Sequence, residues 1–269
     1  QRNCYEHENT APAYRAIYTV WTETAHIGDE HLAQGARPNP QVSIIIPVYN
    51  QPEFTRRCLA ALEKTTDRST CEIIVVDNNS CQETREAILG AACVDKVIRN
   101  ATNRGFAAAC NQGARAAVAP HLVFLNNDTE TQPGWLEALA ARARSSPCIG
   151  MVGSKLLYPD GQLQHCGVVI VRQEQGAALL PRHLFLGLPP SALTDRPMRF
   201  QAVTAACMLI EAELFQAVGG FDERYWNGSE DIDLCFKVGR AGRSIVYEPA
   251  SVVIHHESKS GAERHVGIR

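Results

Sequence analysis

The chain reads as a succession of short apolar runs, each closed abruptly by polar residues. Val42–Asn50 (VSIIIPVYN) and Cys71–Asp77 (CEIIVVD) are near-continuous β-branched runs, the pattern of strands buried on both faces of a parallel sheet. Lys96–Arg99 and His121–Leu125 supply two more strands. Between them the period changes. Pro52 stands at a first helical position, with Phe54, Cys58 and Leu62 at i, i+4 and i+8. Ser80 and Glu83 form a capping-box pattern that opens a second helix. Phe106, Cys110, Gly113 and Ala117 make one face of a small-residue helix. This strand–helix alternation predicts a parallel sheet with right-handed crossovers, an α/β fold flanked by helices.

The second half is less regular. Pro133 and Trp135 begin a helix, and Gly150–Leu157 and Val168–Val171 read as strands. Residues 172–199 hold four prolines with little periodicity and read as a long loop. Phe200–Glu211 is strand-like, Ala212–Val218 is a helix stopped by Gly219 and Gly220, and Ser229 is placed to cap a further helix. Ser244–His255 is the last clear strand. Residues 1–40 lack strand character. Tyr14, Ile17, Tyr18 and Trp21 recur at helical spacing and predict a leading helix, followed by a polar link ending in Pro38 and Pro40. The expected organisation is therefore a helical extension over 1–40 and a domain over 41–269, divided into a first half (41–129) and a mixed second half (130–269).

Composition narrows the function. The 269 residues are 45% hydrophobic and 20% charged, ordinary for a globular domain. A formal net charge of −3 gives no global positive field for nucleic acid or an anionic membrane, so an anionic substrate needs a local device such as a metal ion or backbone amides. The ten cysteines contain no CxxC pair and most lie in apolar or helical segments, as expected of free thiols in a reducing cytosol. No apolar run approaches the roughly 20 residues of a spanning helix. The expected location is cytoplasmic, with peripheral association at the inner face of a membrane compatible with it. The chain opens on Gln1, shows nothing resembling a signal peptide, and reads as a trimmed chain or one module of a longer protein.

Open α/β sheets bind ligands at the carboxyl ends of their strands. Three polar clusters fall at such ends: Tyr49–Asn50, Asp77–Ser80 and Asn126–Asp128. Asn, Asp and Ser are also ordinary turn residues, but three clusters on successive strands point to one shared site. A carboxylate such as Asp128 can hold Mg²⁺ or Mn²⁺ between protein and diphosphate. Glu230, Asp231 and Asp233 crowd a helix start. The helix dipole favours them there, and their mutual repulsion raises a pKa towards that of a general base. Tyr225 and Trp226 just before them offer a flat face on which a sugar can stack. His255 ends an apolar strand, and neutral imidazole is a good Mn²⁺ ligand.

These residues, in this order, resemble glycosyltransferase family 2, whose members have the GT-A fold. The resemblance runs from about Val42 to about Ser260. It implies a Rossmann-like, mostly parallel central sheet with a mixed acceptor-side half. By the match of VSIIIPVYN and IIVVDNNS to the family's first two strands, Asp77 and Asn79 read the base or ribose, and Pro47, Val48 and Tyr49 line the same pocket. NRGFAAACNQG matches the family's N-x-G-F-A-x-x-x-N-x-G segment bordering the nucleotide, which places Asn103, Gly105 and Asn111 there. FLNNDTE stands in place of the family's DxD motif. Asn126 replaces the first Asp, so Asp128 is the motif's one carboxylate, with Asn126 and Asn127 beside the donor. GGFDERYWNGSEDIDLCFKVGRAG resembles the acceptor-side segment, with Asp231 as catalytic base and Trp226 and Glu230 on the acceptor. HHESKS resembles the closing motif, which makes His255 a metal ligand with Asp128. The resemblance implies inverting transfer of a sugar from a dTDP- or UDP-sugar to a glycan or lipid-linked glycan acceptor, with Mn²⁺ or Mg²⁺ as cofactor. The alternative is a catalytically silent nucleotide-sugar-binding module of a larger glycan-assembly protein, which Asn126 favours.

Overall fold

The computed structural model describes residues 31–33 (as backbone), 39–172, 179–226 and 228–257. In chain order the strands are β1 (His31–Ala33), β2 (Val42–Val48), β3 (Cys71–Asp77), β4 (Lys96–Arg99), β5 (His121–Leu125), β6 (Thr129–Thr131), β7 (Ile149–Leu157), β8 (Leu163–His165), β9 (Val168–Arg172), β10 (Leu179–His183), β11 (Met198–Phe200), β12 (Cys207–Glu211) and β13 (Ser244–His255). The helices are α1 (Pro52–Thr65), α2 (Gln82–Leu89), α3 (Phe106–Ala116), α4 (Trp135–Arg144), α5 (Ala212–Ala217) and α6 (Glu230–Arg240).

Among the described residues one eleven-stranded sheet runs β1-β4-β3-β2-β5-β12-β7-β13-β11, with β6 on β13 and β8 on β7. The neighbours β4, β3, β2 and β5 are parallel, as their continuous apolar runs require. Beyond them β12 lies antiparallel between β5 and β7, and β13 runs parallel to β7. The sheet is thus parallel on the first side and mixed on the second. Its two faces carry separate apolar layers. Ile44, Ile46, Leu62, Ile73, Val75 and Trp135 pack on one face, and Ile45, Phe124, Phe215, Phe221 and Leu234 on the other.

Several expectations are corrected. Residues 31–33 form an edge strand antiparallel to β4, in a region that reads as free of strands. The predicted helix around Tyr14–Trp21 lies outside the described residues. Ser80 does not cap α2, whose N-cap is Cys81 without a side-chain cap bond. The Ser80 hydroxyl instead accepts from Asn50 N–H at 2.9 Å, because a neighbouring strand end competes for it. Ser229 occupies the N-cap of α6 with φ 72°, but its side chain makes no cap bond. The stretch 172–199 is more than a loop. Its β10 forms a hairpin ladder with β9, and Tyr247 Oη pins it by donating to Thr194 O at 2.9 Å. Phe200–Glu211 is interrupted, with only β11 and β12 regular and an irregular Gln201–Ala206 between them.

Candidate active site

The ends of β2 and β3 are laced together. Asn78 N–H donates to Val48 O at 2.8 Å, and Cys81 N–H donates to Asn50 Oδ1 at 2.8 Å. Asn50, Gln51 and Asn79 all have positive φ, so both chains turn sharply away as they leave the sheet. Pro47 and Val48 are buried in the strand, while Tyr49 is exposed at the rim. Asp77 is fully buried. Its Oδ1 accepts from Ser80 N–H at 2.8 Å, and its Oδ2 lies 3.4 Å from Arg99 Nε and 3.6 Å from Arg85 Nε. Arg85 also donates to Asn79 Oδ1 at 2.9 Å. Neither arginine stands out in the sequence, because both reach this strand end from later elements.

The segment before α3 sits against the same edge. Asn78 Nδ2 donates to Gly105 O at 3.1 Å, and Gly105 N–H donates to Asn103 Oδ1 at 2.9 Å. Asn111 lies one helical turn deeper. Its amide donates to Phe221 O at 2.9 Å and Glu223 Oε1 at 3.0 Å, and accepts from Phe221 N–H at 3.1 Å. The structure therefore places Asn111 as a clamp on the turn that leads to Trp226 and Glu230.

The end of β5 meets the end of β13. Asp128 Oδ1 lies 3.0 Å from His255 Nε2, and the Asn126 amide nitrogen lies 3.4 Å from the same Nε2. Asn127 is tied elsewhere, donating to Thr55 Oγ1 on α1 at 3.0 Å. On its far side His255 Nδ1 lies 2.5 Å from Gln164 Oε1, so Nδ1 carries the donated proton. Gln164 Nε2 in turn donates to His255 O at 3.2 Å and to Glu257 Oε2 at 3.3 Å. Burial alone would raise the Asp128 pKa, but the His255 hydrogen bond and charge outweigh it and hold the carboxyl below its ordinary value.

These residues fit a divalent cation. When His255 is neutral, with Nδ1–H committed to Gln164, its Nε2 lone pair faces Asp128, and two such groups 3.0 Å apart hold a proton or a cation between them. Asn126 Oδ1 is buried without a hydrogen-bond partner, an oxygen available to a ligand. Among the described residues no three His, Cys, Asp or Glu side chains converge. That spare donor set suits Mg²⁺ or Mn²⁺, which take the rest of their shell from water and phosphate.

The acceptor-side carboxylates stand at the start of α6. Asp231 Oδ2 accepts from Ala205 N–H at 3.3 Å and Oδ1 from Ile232 N–H at 2.8 Å. Desolvation nevertheless raises its pKa, against the lowering effect of these bonds, the Thr204 side chain and His183. Glu230 is buried, and its Oε2 has no hydrogen-bond partner. Desolvation first, and then the charge of Asp231, push Glu230 up to about 7. Trp226 bridges the halves: its carbonyl accepts from Phe106 N–H at 3.1 Å.

Gln164, Thr204 and His183 were not legible as site residues. Gln164 and His165 did leave a trace, as two buried polar residues inside an otherwise apolar stretch, LQHCGVV.

The fold places the molecule among GT-A proteins. It superposes on GalNAc-T7, solved with UDP, GalNAc and Mn²⁺, with a TM-score of 0.65 and 21% identity, over 85% of this chain and 46% of that one. Residues 43–165 match the family described as Glycosyl transferase family 2. O-antigen biosynthesis protein RfbC of Myxococcus xanthus is 34% identical over 83% of this chain, although that alignment spans only 18% of the relative. The N-acetylglucosaminyl-diphospho-decaprenol L-rhamnosyltransferase of Mycobacterium tuberculosis is 28% identical over 81% of this chain and 76% of its own length. Residues 43–165 carry a glycosyltransferase family 2 domain. No helix among the described residues is long and apolar enough to cross a membrane.

Proposed function

We propose that the chain is an inverting, divalent-metal-dependent glycosyltransferase. It moves a sugar from a dTDP- or UDP-sugar to a hydroxyl of a glycan or lipid-linked glycan. One observation carries this reading. Two consecutive residues, Ala205 and Ala206, tie the two chemical centres together: Ala205 N–H donates to Asp231, and Ala206 O accepts from Asn126 N–H at 3.0 Å. A carboxylate poised for proton abstraction and a cation-ready pair at a strand end are thus fixed by one short segment. Rigid placement of this kind is what a displacement reaction requires.

In this mechanism the strand-end pocket around Tyr49, Asp77, Asn79 and Asn103 holds the nucleoside. Asp231 takes the proton from the acceptor hydroxyl as its oxygen forms a bond to the anomeric carbon and the bond to the diphosphate breaks. Its raised pKa makes it more basic than an ordinary aspartate, and the two backbone N–H bonds orient it. Asp128, His255 and the Asn126 amide oxygen would hold the cation, which when bound neutralises charge growing on the leaving nucleoside diphosphate. GalNAc-T7 with its UDP and Mn²⁺ supports this choice of partners.

The test is Asp231→Asn, assayed with a panel of nucleotide sugars and Mn²⁺. Transfer falls by about 10²–10⁴-fold, the usual cost of a lost general base, while the thermal shift given by donor and Mn²⁺ persists. Near-normal transfer by this variant sinks the assignment. A wild-type chain that binds donor but turns nothing over favours the silent binding module that Asn126 suggests.

A further inference from the structure

A second imidazole, His183, is linked through His165 to the Thr204–Ala205 segment that holds Asp231. His183 ends β10, the strand paired to β9, and is exposed. Its Nδ1 lies 3.0 Å from Nδ1 of His165, which is fully buried, and the rings meet edge to face at 5.0 Å. On its other side His165 Nε2 accepts a long bond, 3.5 Å, from Thr204 N–H. The next peptide, Ala205 N–H, is the one that holds Asp231.

These contacts determine where the protons sit. An imidazole nitrogen that accepts from a backbone N–H carries no proton, so neutral His165 bears its proton on Nδ1. That Nδ1–H donates to His183, whose Nδ1 is therefore the acceptor. The proton of His183 is left on Nε2, and the residue is exposed. We propose that His183 is an acceptor-binding residue whose Nε2–H, fixed as a donor by His165, holds a hydroxyl oxygen of the acceptor beside Asp231. The assignment rests on the transferase reading given above and adds a residue to it.

The chemistry favours a sugar hydroxyl over an anion. Burial, with the charges of His183 and His255, holds His165 well below the ordinary histidine range, and burial also lowers His183 against the pull of Asp231 and Glu257. A neutral ring offers one directed donor and no net charge, which suits an uncharged oxygen. The hairpin is a two-stranded sheet separate from the main one and belongs to the second half of the chain.

The experiment uses His183→Ala and His183→Gln with a panel of p-nitrophenyl glycosides as acceptors. For the glycoside that wild type glycosylates, His183→Ala raises the acceptor KM about tenfold, the cost of one hydrogen bond. The donor KM and the Mn²⁺ thermal shift stay unchanged. His183→Gln, which keeps an N–H donor, recovers most of the loss. An unchanged acceptor KM in His183→Ala overturns the proposal. Imidazole ¹⁵N shifts, read without any substrate, give a second arm: Nε2–H on His183 and Nδ1–H on His165 are expected, and Nδ1–H on His183 overturns it. A wild-type chain that consumes no nucleotide sugar sinks the transferase reading, and the acceptor role falls with it. That failure is distinguishable, because the tautomers keep their expected form.

Discussion

Gly105 and Trp226 touch across the seam between the two halves of the sheet. A Cβ built on Gly105 would stand 2.8 Å from the Trp226 carbonyl oxygen and 3.0 Å from its ring. Gly105 also has φ 84° and ψ 170°, a region that L side chains avoid. Close approach of the tryptophan and the backbone turn into α3 therefore both require glycine here.

Gly105→Ala should cost about 1–3 kcal/mol through the backbone alone, and more if Trp226 cannot retreat. The stability loss reads out in urea unfolding. Because the Trp226 loop leads to Asp231, transfer should fall further than stability accounts for. A variant with wild-type turnover would show that Trp226 is free to move without consequence.

The hydrogen bond between His255 and Gln164 gives a prediction about the metal. Removing such an outer partner commonly costs about 10–100-fold in metal affinity. Gln164→Leu should weaken Mn²⁺ binding by that range in calorimetric titration, without replacing any of the three ligands. Asn126→Asp, which adds the carboxylate missing from the strand end, should tighten it. Unchanged affinity in both variants would move the cation away from His255.

The elements that were legible share one property. β3, β4, β5 and β13 keep the bounds read from the sequence, because each carries an apolar run whose inner residues are mostly buried. The short strands β1, β6, β8 and β10 were not legible, because three to five residues become a strand only through their partner. The same distinction holds in the site. Asp128, Asp231 and His255 announce themselves as polar residues at the ends of apolar runs. Gln164 and His183 matter through contacts spanning 91 and 18 residues, and no local pattern encodes those.

Asn111 tests whether the clamp on the acceptor-side turn is structural. Its amide satisfies both the N–H and the carbonyl of Phe221. Asn111→Ala leaves those buried groups without partners, which should cost about 1–3 kcal/mol. Hydrogen exchange at Phe221 N–H should accelerate more than exchange in β2. Equal protection in the variant would show that the turn holds without Asn111.

Glu230 makes the fold sensitive to pH in a direction that can be stated. Its folded pKa, about 7, lies above the ordinary 4.5, so the native state binds a proton more tightly than the unfolded chain does. The resulting stabilisation is complete below about pH 4.5 and is lost as pH rises through about 7. Glu230→Gln keeps the shape and removes the charge, so it should melt close to wild type in acid and above wild type at about pH 8. Asp231, whose pKa is also raised, leaves the variant a residual slope of the same sign. Melting curves of both proteins from acid to mild alkali decide the matter. A difference that stays flat with pH would mean that Glu230 is already ionised in the folded chain.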